Sequence, residues 1–447
     1  MVSMTSARTG CVPAPRVAYI AGSLPCRSET FVYRELLELR RVGLTVEAVS
    51  VRTPARDLGV PGIDRLAEES IVLYGDPAAL VRDAAGEVIH HPIRSLSTLC
   101  RALRDAVLER DIRLGSRPKT LIQAITALAL ARRLRARGVT HLHAHMAHVP
   151  TTIAMYAAMQ MGVLFSFTGH AADLFRDRAM LGLKLARAAF TSCISEWHQE
   201  FYQWVLAQQG AGKQLETKLP LVRCGVDMAE FAPRADRKPG TRILAVGRLV
   251  PKKGFDILLE ALSRLVKEGR PVVCDLVGEG PERDPLERQR EDLGLVDRVR
   301  FCGALSNHRV REMMQRADLF VLPCRVAGDG DRDGIPVVLM EAMACGVCVI
   351  TGDLPTIREL VIPGKTGILV KPGEVDALAT AIGNVLEDPR GYAAMARAGL
   401  NRVKDEFTIS GNVRRLRRAI CGEEQGIPPV VGDLADHRAT AITSVDS

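Results

Sequence analysis

Two stretches in the second half of the chain gather side chains that grip phosphate and hydroxyl groups. The first, Gly247-Arg248-Leu249-Val250-Pro251-Lys252-Lys253-Gly254, follows the apolar run Arg242 to Val246 and precedes a helical pattern. Glycine lets the backbone turn tightly, the Arg248 guanidinium offers a forked and permanent charge, and Lys253 adds a point charge; together they suit a diphosphate. The second is an acidic, glycine-rich loop, Asp329 to Gly334, leading into Ile335-Pro336-Val337-Val338-Leu339-Met340-Glu341-Ala342-Met343-Ala344. Pro336 suits the first turn of a helix, whose free N–H groups then face the loop and can hold a phosphate. Asp333 and Glu341, eight residues apart, fall on the loop side and the helix side of such a site, where carboxylates accept hydrogen bonds from sugar and ribose hydroxyls. Singly, the first stretch could be a solvated basic loop and the second an acidic turn before a capped helix. Their meaning depends on the elements that bring them together.

Those elements alternate strand and helix. In the first half, Val17 to Ala21 reads as a strand, followed by a Gly/Ser/Pro loop and a helix in which Phe31, Glu35 and Leu39, or Val32, Leu36 and Leu39, recur at helical spacing. Ser28 can cap that helix and Gly43 can end it. Further strands are expected at Thr45 to Val51, Thr140 to Ala144, Val163 to Phe167, Ala189 to Ile194 and Leu219 to Arg223, with helices over Leu121 to Arg137 and Glu196 to Gln208. A polar stretch, Phe231 to Gly240, reads as a linker. Strands at Arg242 to Val246, Val272 to Val277, Val299 to Phe301, Leu319 to Leu322 and Val347 to Ile350 then form a second array. The fold class expected is α/β: two doubly wound, Rossmann-like domains, 14–230 and 241–405, facing a cleft. A basic helix in 406–422 is expected to pack back on the first domain, and 423–447 reads as a disordered tail.

Composition bounds the partners. The 447 residues favour two domains, and aromatics at 4% argue against stacking on single-stranded nucleic acid. The net charge of +8 is diffuse, with no reading helix, so no nucleic-acid partner is expected; phosphate-bearing substrates or a lipid surface satisfy it. Eleven cysteines without a framework read as reduced thiols in a cytoplasmic protein. No run of ~18 apolar residues and no signal peptide is apparent, so contact with the inner face of a membrane would be peripheral. Arg101 to Arg117 or Arg132 to Arg137 are candidate docking stretches, with solvated helix faces as the plain alternative.

Three signals are discounted. His141, His143 and His145 alternate along a strand, so three imidazoles could share a face and bind zinc; with no carboxylate or thiol nearby in sequence, no metal is expected. Cys345-Gly346-Val347-Cys348 lies where a helix ends rather than where one starts, against redox chemistry. Gly278-Glu279-Gly280 lacks the third glycine of a dinucleotide fingerprint.

The run Gly247 to Leu262, the Gly278-Glu279-Gly280-Pro281 turn, Asp333 to Ala344 with Cys345-Gly346, and Gly364-Lys365-Thr366-Gly367 resemble the donor-binding half of family 4 (GT-B) retaining glycosyltransferases. Ser28-Glu29-Thr30-Phe31, His143-Ala144-His145, Phe165 to Phe175 and Cys193-Ile194-Ser195-Glu196 are similar to the exopolysaccharide or colanic-acid type. The resemblance implies metal-independent, retaining transfer of a sugar from a nucleotide diphosphate sugar, UDP- or GDP-linked, to a saccharide or lipid-linked saccharide, without a cofactor. It implies that Arg248 and Lys253 hold the diphosphate, that Glu341 binds ribose, and that Asp333 binds the donor sugar where the family pattern has glutamate. His170 would touch the sugar near the reacting carbon. The Gly22 loop, Gly247, Gly278 and Gly334-Ile335-Pro336-Val337 would line the donor, with the nucleobase cupped by the Val299 to Gly303 backbone, Phe301 included. Glu29, Thr30, His145 and Asp173 would face the acceptor. A nucleotide-sugar epimerase of the same fold, or a catalytically silent sugar-nucleotide-binding partner in an envelope assembly, are the alternatives.

Overall fold

The computed structural model describes residues 15–26, 29–56, 61–109, 111–170, 178–208, 219–233 and 240–423. Ser28 and Asp173, part of the expected linker and almost all of the expected tail lie outside them. Two six-stranded sheets, each wholly parallel, organise the chain. The first runs β3-β2-β1-β4-β5-β6, with β1 Val17–Ala21, β2 Val46–Ser50, β3 Ile71–Val72, β4 His141–His145, β5 Leu164–Thr168 and β6 Phe190–Ser192. The second runs β12-β11-β10-β7-β8-β9, with β7 Arg242–Val246, β8 Val273–Val277, β9 Val299–Phe301, β10 Leu319–Leu322, β11 Cys348–Gly352 and β12 Ile368–Val370. The segment expected as a strand at Leu219 to Arg223 makes only an isolated bridge, Leu221 to Cys193.

Helices cover both faces of each sheet. In the first lobe they are α1 Thr30–Arg41, α2 Pro61–Glu69, α3 Pro77–His90, α4 Pro92–Leu108, α5 Arg117–Arg135, α6 Val149–Met161, α7 Leu181–Arg187 and α8 Glu196–Gln208. In the second they are α9 Phe255–Lys267, α10 Arg283–Asp292, α11 Asn307–Arg316, α12 Val337–Ala344, α13 Val375–Glu387 and α14 Ala393–Glu406. Strand β1 shows why the first sheet needs both layers: Ala18 and Ile20 pack with α5 and α6, whereas Val17, Tyr19 and Ala21 pack with α1. Successive side chains point to opposite faces, so a strand covered twice must be apolar throughout.

The last helix, α15 Ile409–Cys421, returns to the first lobe, where Val413, Leu416 and Ile420 join the same cluster as Val17, Tyr19 and Leu36. The chain crosses between lobes twice, and the crossings are bonded together: the Val226 N–H donates to Phe407 O and the Ile409 N–H to Val226 O (2.9 and 3.0 Å). At Gly225 an added Cβ would meet the Thr408–Ile409 backbone at 2.5–2.6 Å, so only glycine allows this approach. Phe231, expected in the linker, is buried in the second lobe's core.

Candidate active site

Parallel strands deliver their loops at their carboxyl ends, and most of the expected residues sit there. The loop after β7 carries Lys252 and Lys253; the loop after β10 carries Asp333. The Lys253 ammonium lies 2.7 Å from Asp333, and Lys252 lies 3.4 Å from Asp333 and 3.1 Å from Asp331. Burial works against both charges. For Lys253 the Asp333 carboxylate more than offsets it and the pKa is raised; for Asp333 burial is outweighed by Lys253 and then Lys252, and the pKa is lowered. Both groups are therefore held charged. The Thr356 hydroxyl donates toward the Asp333 and Gly334 carbonyls (3.2 Å each), fixing this loop against the turn after β11.

Gly278 sits at φ +148°, and a Cβ there would collide with the Gly247 carbonyl. The Gly-Glu-Gly turn thus lets the loops after β7 and β8 touch, as the Gly247 N–H to Val277 O bond (3.0 Å) shows. Arg248, beside them, is exposed, and its side chain makes no hydrogen bond or ion pair among the described residues. Helix α12 starts one residue later than expected: Pro336 is its N-cap and Val337 its first residue, while Ile335 is buried in the core. Glu341 lies one turn inside that helix and is met from the opposite lobe. Arg34, on α1, donates to Glu341 (3.1 Å) and Glu230 (3.2 Å), with its guanidinium 5.5 Å from the Phe231 ring. Burial raises the Glu341 pKa, and Arg34 only partly counters it.

Across the cleft the first lobe presents a chain of buried rings. His145, at the end of β4, has Nε2 2.9 Å from Glu35 Oε1 and 2.5 Å from the Tyr19 hydroxyl, and Nδ1 3.2 Å from His170 Nε2. Glu35, on α1, also accepts from Tyr19 (2.8 Å). A carboxylate accepts only, so the proton between His145 and Glu35 sits on His145 Nε2, while Nδ1 faces His170 Nε2. His170 is kept neutral, its pKa well below the usual value through burial and then the neighbouring His145. Phe31 packs on the His170 ring with centroids 4.7 Å apart.

Three expectations need correcting. Val299 cannot cup a nucleobase: it begins β9, pairs with Cys274 near the amino end of β8, and is buried in the core. It lines a cavity of about 580 Å3 with Arg242, Val273 and Arg298, at the sheet's opposite end. Phe301 is stacked under Arg283 and Arg290, which leaves the Cys302–Gly303 backbone as the part of that strand nearest the site. The histidines of β4 do have a carboxylate beside them: Glu35, His143 and His145 bring ligand atoms within 4.8 Å of one another. Their ring nitrogens are nevertheless committed, His143 to the Ser166 and Thr168 hydroxyls (2.8 and 3.2 Å) and His145 to Glu35 and His170. Finally, Arg133 and Arg135 are tied to Asp83 and Glu87, so Arg132 to Arg137 is not a free basic surface.

Of the remaining expected residues, Gly22 follows β1 and is partly buried, Glu29 is the N-cap of α1, and Thr30 is its first residue. Sequence reasoning missed Arg34 as a functional group, and no local signal marks it. Glu35 was visible as the one acid in the Phe31, Glu35, Leu39 series, a charge at a position otherwise read as apolar.

Two parallel-sheet lobes whose facing strand ends carry a lysine–aspartate pair, a helix-borne glutamate and a buried histidine chain define the GT-B architecture. Residues 229–402 match the model for glycosyl transferases group 1. It is 27% identical over 383 residues, 82% of this chain and 89% of the relative, to a putative colanic acid biosynthesis glycosyltransferase WcaL of Salmonella typhimurium. It is 35% identical over 212 residues, 45% of this chain and 56% of the relative, to a GDP-mannose-dependent alpha-(1-6)-phosphatidylinositol monomannoside mannosyltransferase of Mycolicibacterium smegmatis. The match to the Erwinia amylovora amylovoran biosynthesis glycosyltransferase AmsK is 32% over 202 residues, 44% and 49% of the two chains. The chain thus spans about half the length of the last two. Anabaena Alr3699/HepE, solved with UDP and glucose, shares the fold at TM-score 0.65 and 17% identity, over 91% of this chain and 99% of that one. The epimerase and silent-partner alternatives draw no support from these relatives, which are named as transferases.

Proposed function

We propose that this chain transfers a sugar from a UDP- or GDP-sugar to a lipid-linked saccharide in exopolysaccharide or envelope polysaccharide synthesis, with retention and without a metal, at the cytoplasmic face of the membrane. The observation that carries this reading is the buried Lys253–Asp333 pair at 2.7 Å, set on strand ends that face the histidine chain of the other lobe. A diphosphate sugar puts an anion and a set of hydroxyls one bond apart, and an adjacent cation and carboxylate match that order. Lys253, Arg248 and the amino end of α12 neutralise the departing nucleotide, which is where charge develops as the glycosidic bond breaks. Asp333 orients sugar hydroxyls and Glu341 the ribose. Neutral His170 contacts the sugar without adding positive charge beside an oxocarbenium-like centre. On this reading the departing phosphate takes the acceptor proton on the face it leaves, which gives retention. The cations and helix end occupy the role that a divalent ion fills in other transferases.

The GDP-mannose-dependent relative and the UDP-bound structural neighbour keep both bases in view. The test is nucleotide release from a panel of UDP- and GDP-sugars, with and without lipid-linked oligosaccharide, in EDTA. Acceptor-dependent release from one donor type is expected, largely lost in Lys253→Ala and Glu341→Ala. Undiminished turnover in both variants would refute the site; release stopped by EDTA and restored by a divalent ion would refute metal independence.

A further inference from the structure

Helix α4 is turned inside out. Its buried face consists of Ser95, Thr98, Ala102, Asp105 and Ala106, and the polar members are fully engaged. Gln160, on α6, donates to Ser95 and accepts from Thr98 (3.1 and 3.0 Å), while Asp105 takes a two-pronged bond from Arg187 (2.6 and 2.9 Å) and one from the Tyr156 hydroxyl. Its solvent face carries the apolar residues instead. Ile93, Leu96, Leu103 and Val107 are 84, 64, 53 and 55% exposed, and with Cys100 they follow a three-four spacing that draws one stripe along the helix. A helix of a globular protein normally buries such a stripe.

The stripe is part of a wider surface. Of the sixteen large apolar residues exposed among the described residues, eleven lie between Val81 and Ile125, on α3, α4, the turn at Leu114–Ser116 and the start of α5. Apolar exposure concentrated on this scale marks a surface that is covered in use. The exposed charges around it are mostly positive. Arg94, Ser97, Arg101 and Arg104 form the neighbouring line on α4, and Arg82, Arg113 and Lys119 are also exposed, against two exposed acids among the described residues there, Asp76 at the start of α3 and Asp111.

We propose that this face docks on an anionic lipid bilayer, with the Ile93 to Val107 stripe entering the acyl boundary and Arg101 and Arg104 at the level of the headgroups. No described helix is long and apolar enough to cross a membrane, and an interfacial helix does not need to be. The charge pattern selects this occupant over a second copy of the chain. A two-fold contact would set the cationic flank against itself, whereas an anionic leaflet attracts each exposed arginine within about one Debye length, ~8–10 Å. The surface belongs to the lobe that holds His145 and His170, so docking presents that lobe to a lipid-borne acceptor. In this respect only, the inference rests on the proposed transferase reading.

The test is cosedimentation of the full chain with phosphatidylglycerol/phosphatidylcholine vesicles containing neither donor nor acceptor. Binding to the anionic vesicles, weakened by salt, is expected. Each leucine carried into the bilayer is worth about tenfold or more in partitioning, so Leu96→Ser with Leu103→Ser should lower binding at least about a hundredfold. Arg101→Glu with Arg104→Glu should abolish the preference for anionic over pure phosphatidylcholine vesicles. These residues are exposed, so the variants should melt as the parent does and bind soluble nucleotide sugar with the parental Kd. Absence of vesicle binding, or binding unchanged in the leucine variant, overturns the proposal. A parent dimer that the leucine variant dissolves, seen by light scattering, also overturns it, in favour of a second copy. Failure of donor turnover by the parent with lipid-linked oligosaccharide present, with vesicle binding as described, would sink the transferase reading and leave the docking face standing.

Discussion

Arg34 is the side chain whose removal discriminates most sharply among readings of the cleft. It donates to Glu341 from the opposite lobe at 3.1 Å, with the two side chains 12 and 10% exposed. A hydrogen bond to a charged group at that burial contributes about 1.5–3 kcal/mol. The second bond, to Glu230, is to a carboxylate 44% exposed, where screening leaves little, about 0–1 kcal/mol. If nucleotide ribose binds Glu341, it must displace or share this guanidinium. Arg34→Met keeps much of the stem while removing the competitor, so at pH 8 it should tighten binding of the cognate nucleoside diphosphate by roughly tenfold or more. Isothermal titration calorimetry reads this directly. The same variant has a pH signature. Burial already raises the Glu341 pKa despite Arg34, and losing the cation raises it further. The folded state then binds more protons than the unfolded one between the unfolded carboxylate value, about 4.3, and the folded value. Stability contributed by the protonated form is present below that window and is lost as pH rises through it. Melting temperatures of Arg34→Met should therefore fall more steeply than the parent's on going from pH 5 to 8. Nucleotide binding weakened tenfold would mean that Arg34 holds the nucleotide rather than competing with it, and the ribose role of Glu341 would have to be abandoned.

Two further outcomes follow from the site. Glu35→Leu removes the acceptor that fixes the His145 tautomer, so turnover should fall on the order of tenfold or more while the Kd for nucleoside diphosphate is unchanged; nitrogen-15 spectra of labelled histidine should show His145 losing its Nε2-protonated form, and an unaltered spectrum would remove Glu35 from the mechanism. Gly278→Ala places a Cβ against the Gly247 carbonyl at a φ that L residues rarely adopt, which should cost about 1–3 kcal/mol of stability and, by displacing the loop that carries Lys253, most of the nucleotide binding; binding retained at the parental Kd would show that the loop contact is dispensable.

The second lobe was legible because its strands are short apolar runs between glycine turns, and β7, β9 and β10 begin and end where the sequence places them. The fold class was legible for the same reason, since the motifs lie at strand ends. Helices α3 and α4 were not. Periodicity assigns an apolar stripe to the core, and here Asp105 and Glu87 are inside while Ile93 and Leu96 are out, an inversion that only the packing against Gln160, Arg187 and Arg135 explains. Val299 was misplaced because membership of a strand does not say which end of it meets a ligand. The Arg34–Glu341 contact joins residues 307 apart in the chain, and no local pattern encodes it.

The charges of the cleft are paired with one another: Lys253 with Asp333, and Glu341 with Arg34. This bears on how the site could discriminate its substrate. A lone diphosphate would draw Lys253 away and leave Asp333 with Lys252 and the Cys324 thiol, 3.4 and 3.3 Å away, a poorer match for a buried carboxylate. A diphosphate that brings a sugar supplies hydroxyl donors to Asp333 at the moment Lys253 turns to the phosphate, so each charge exchanges one partner for another. On the proposed reading, the pair therefore favours the intact donor over the spent nucleotide, and the shorter aspartate, held directly against Lys253, ties recognition of the sugar to recognition of its leaving group.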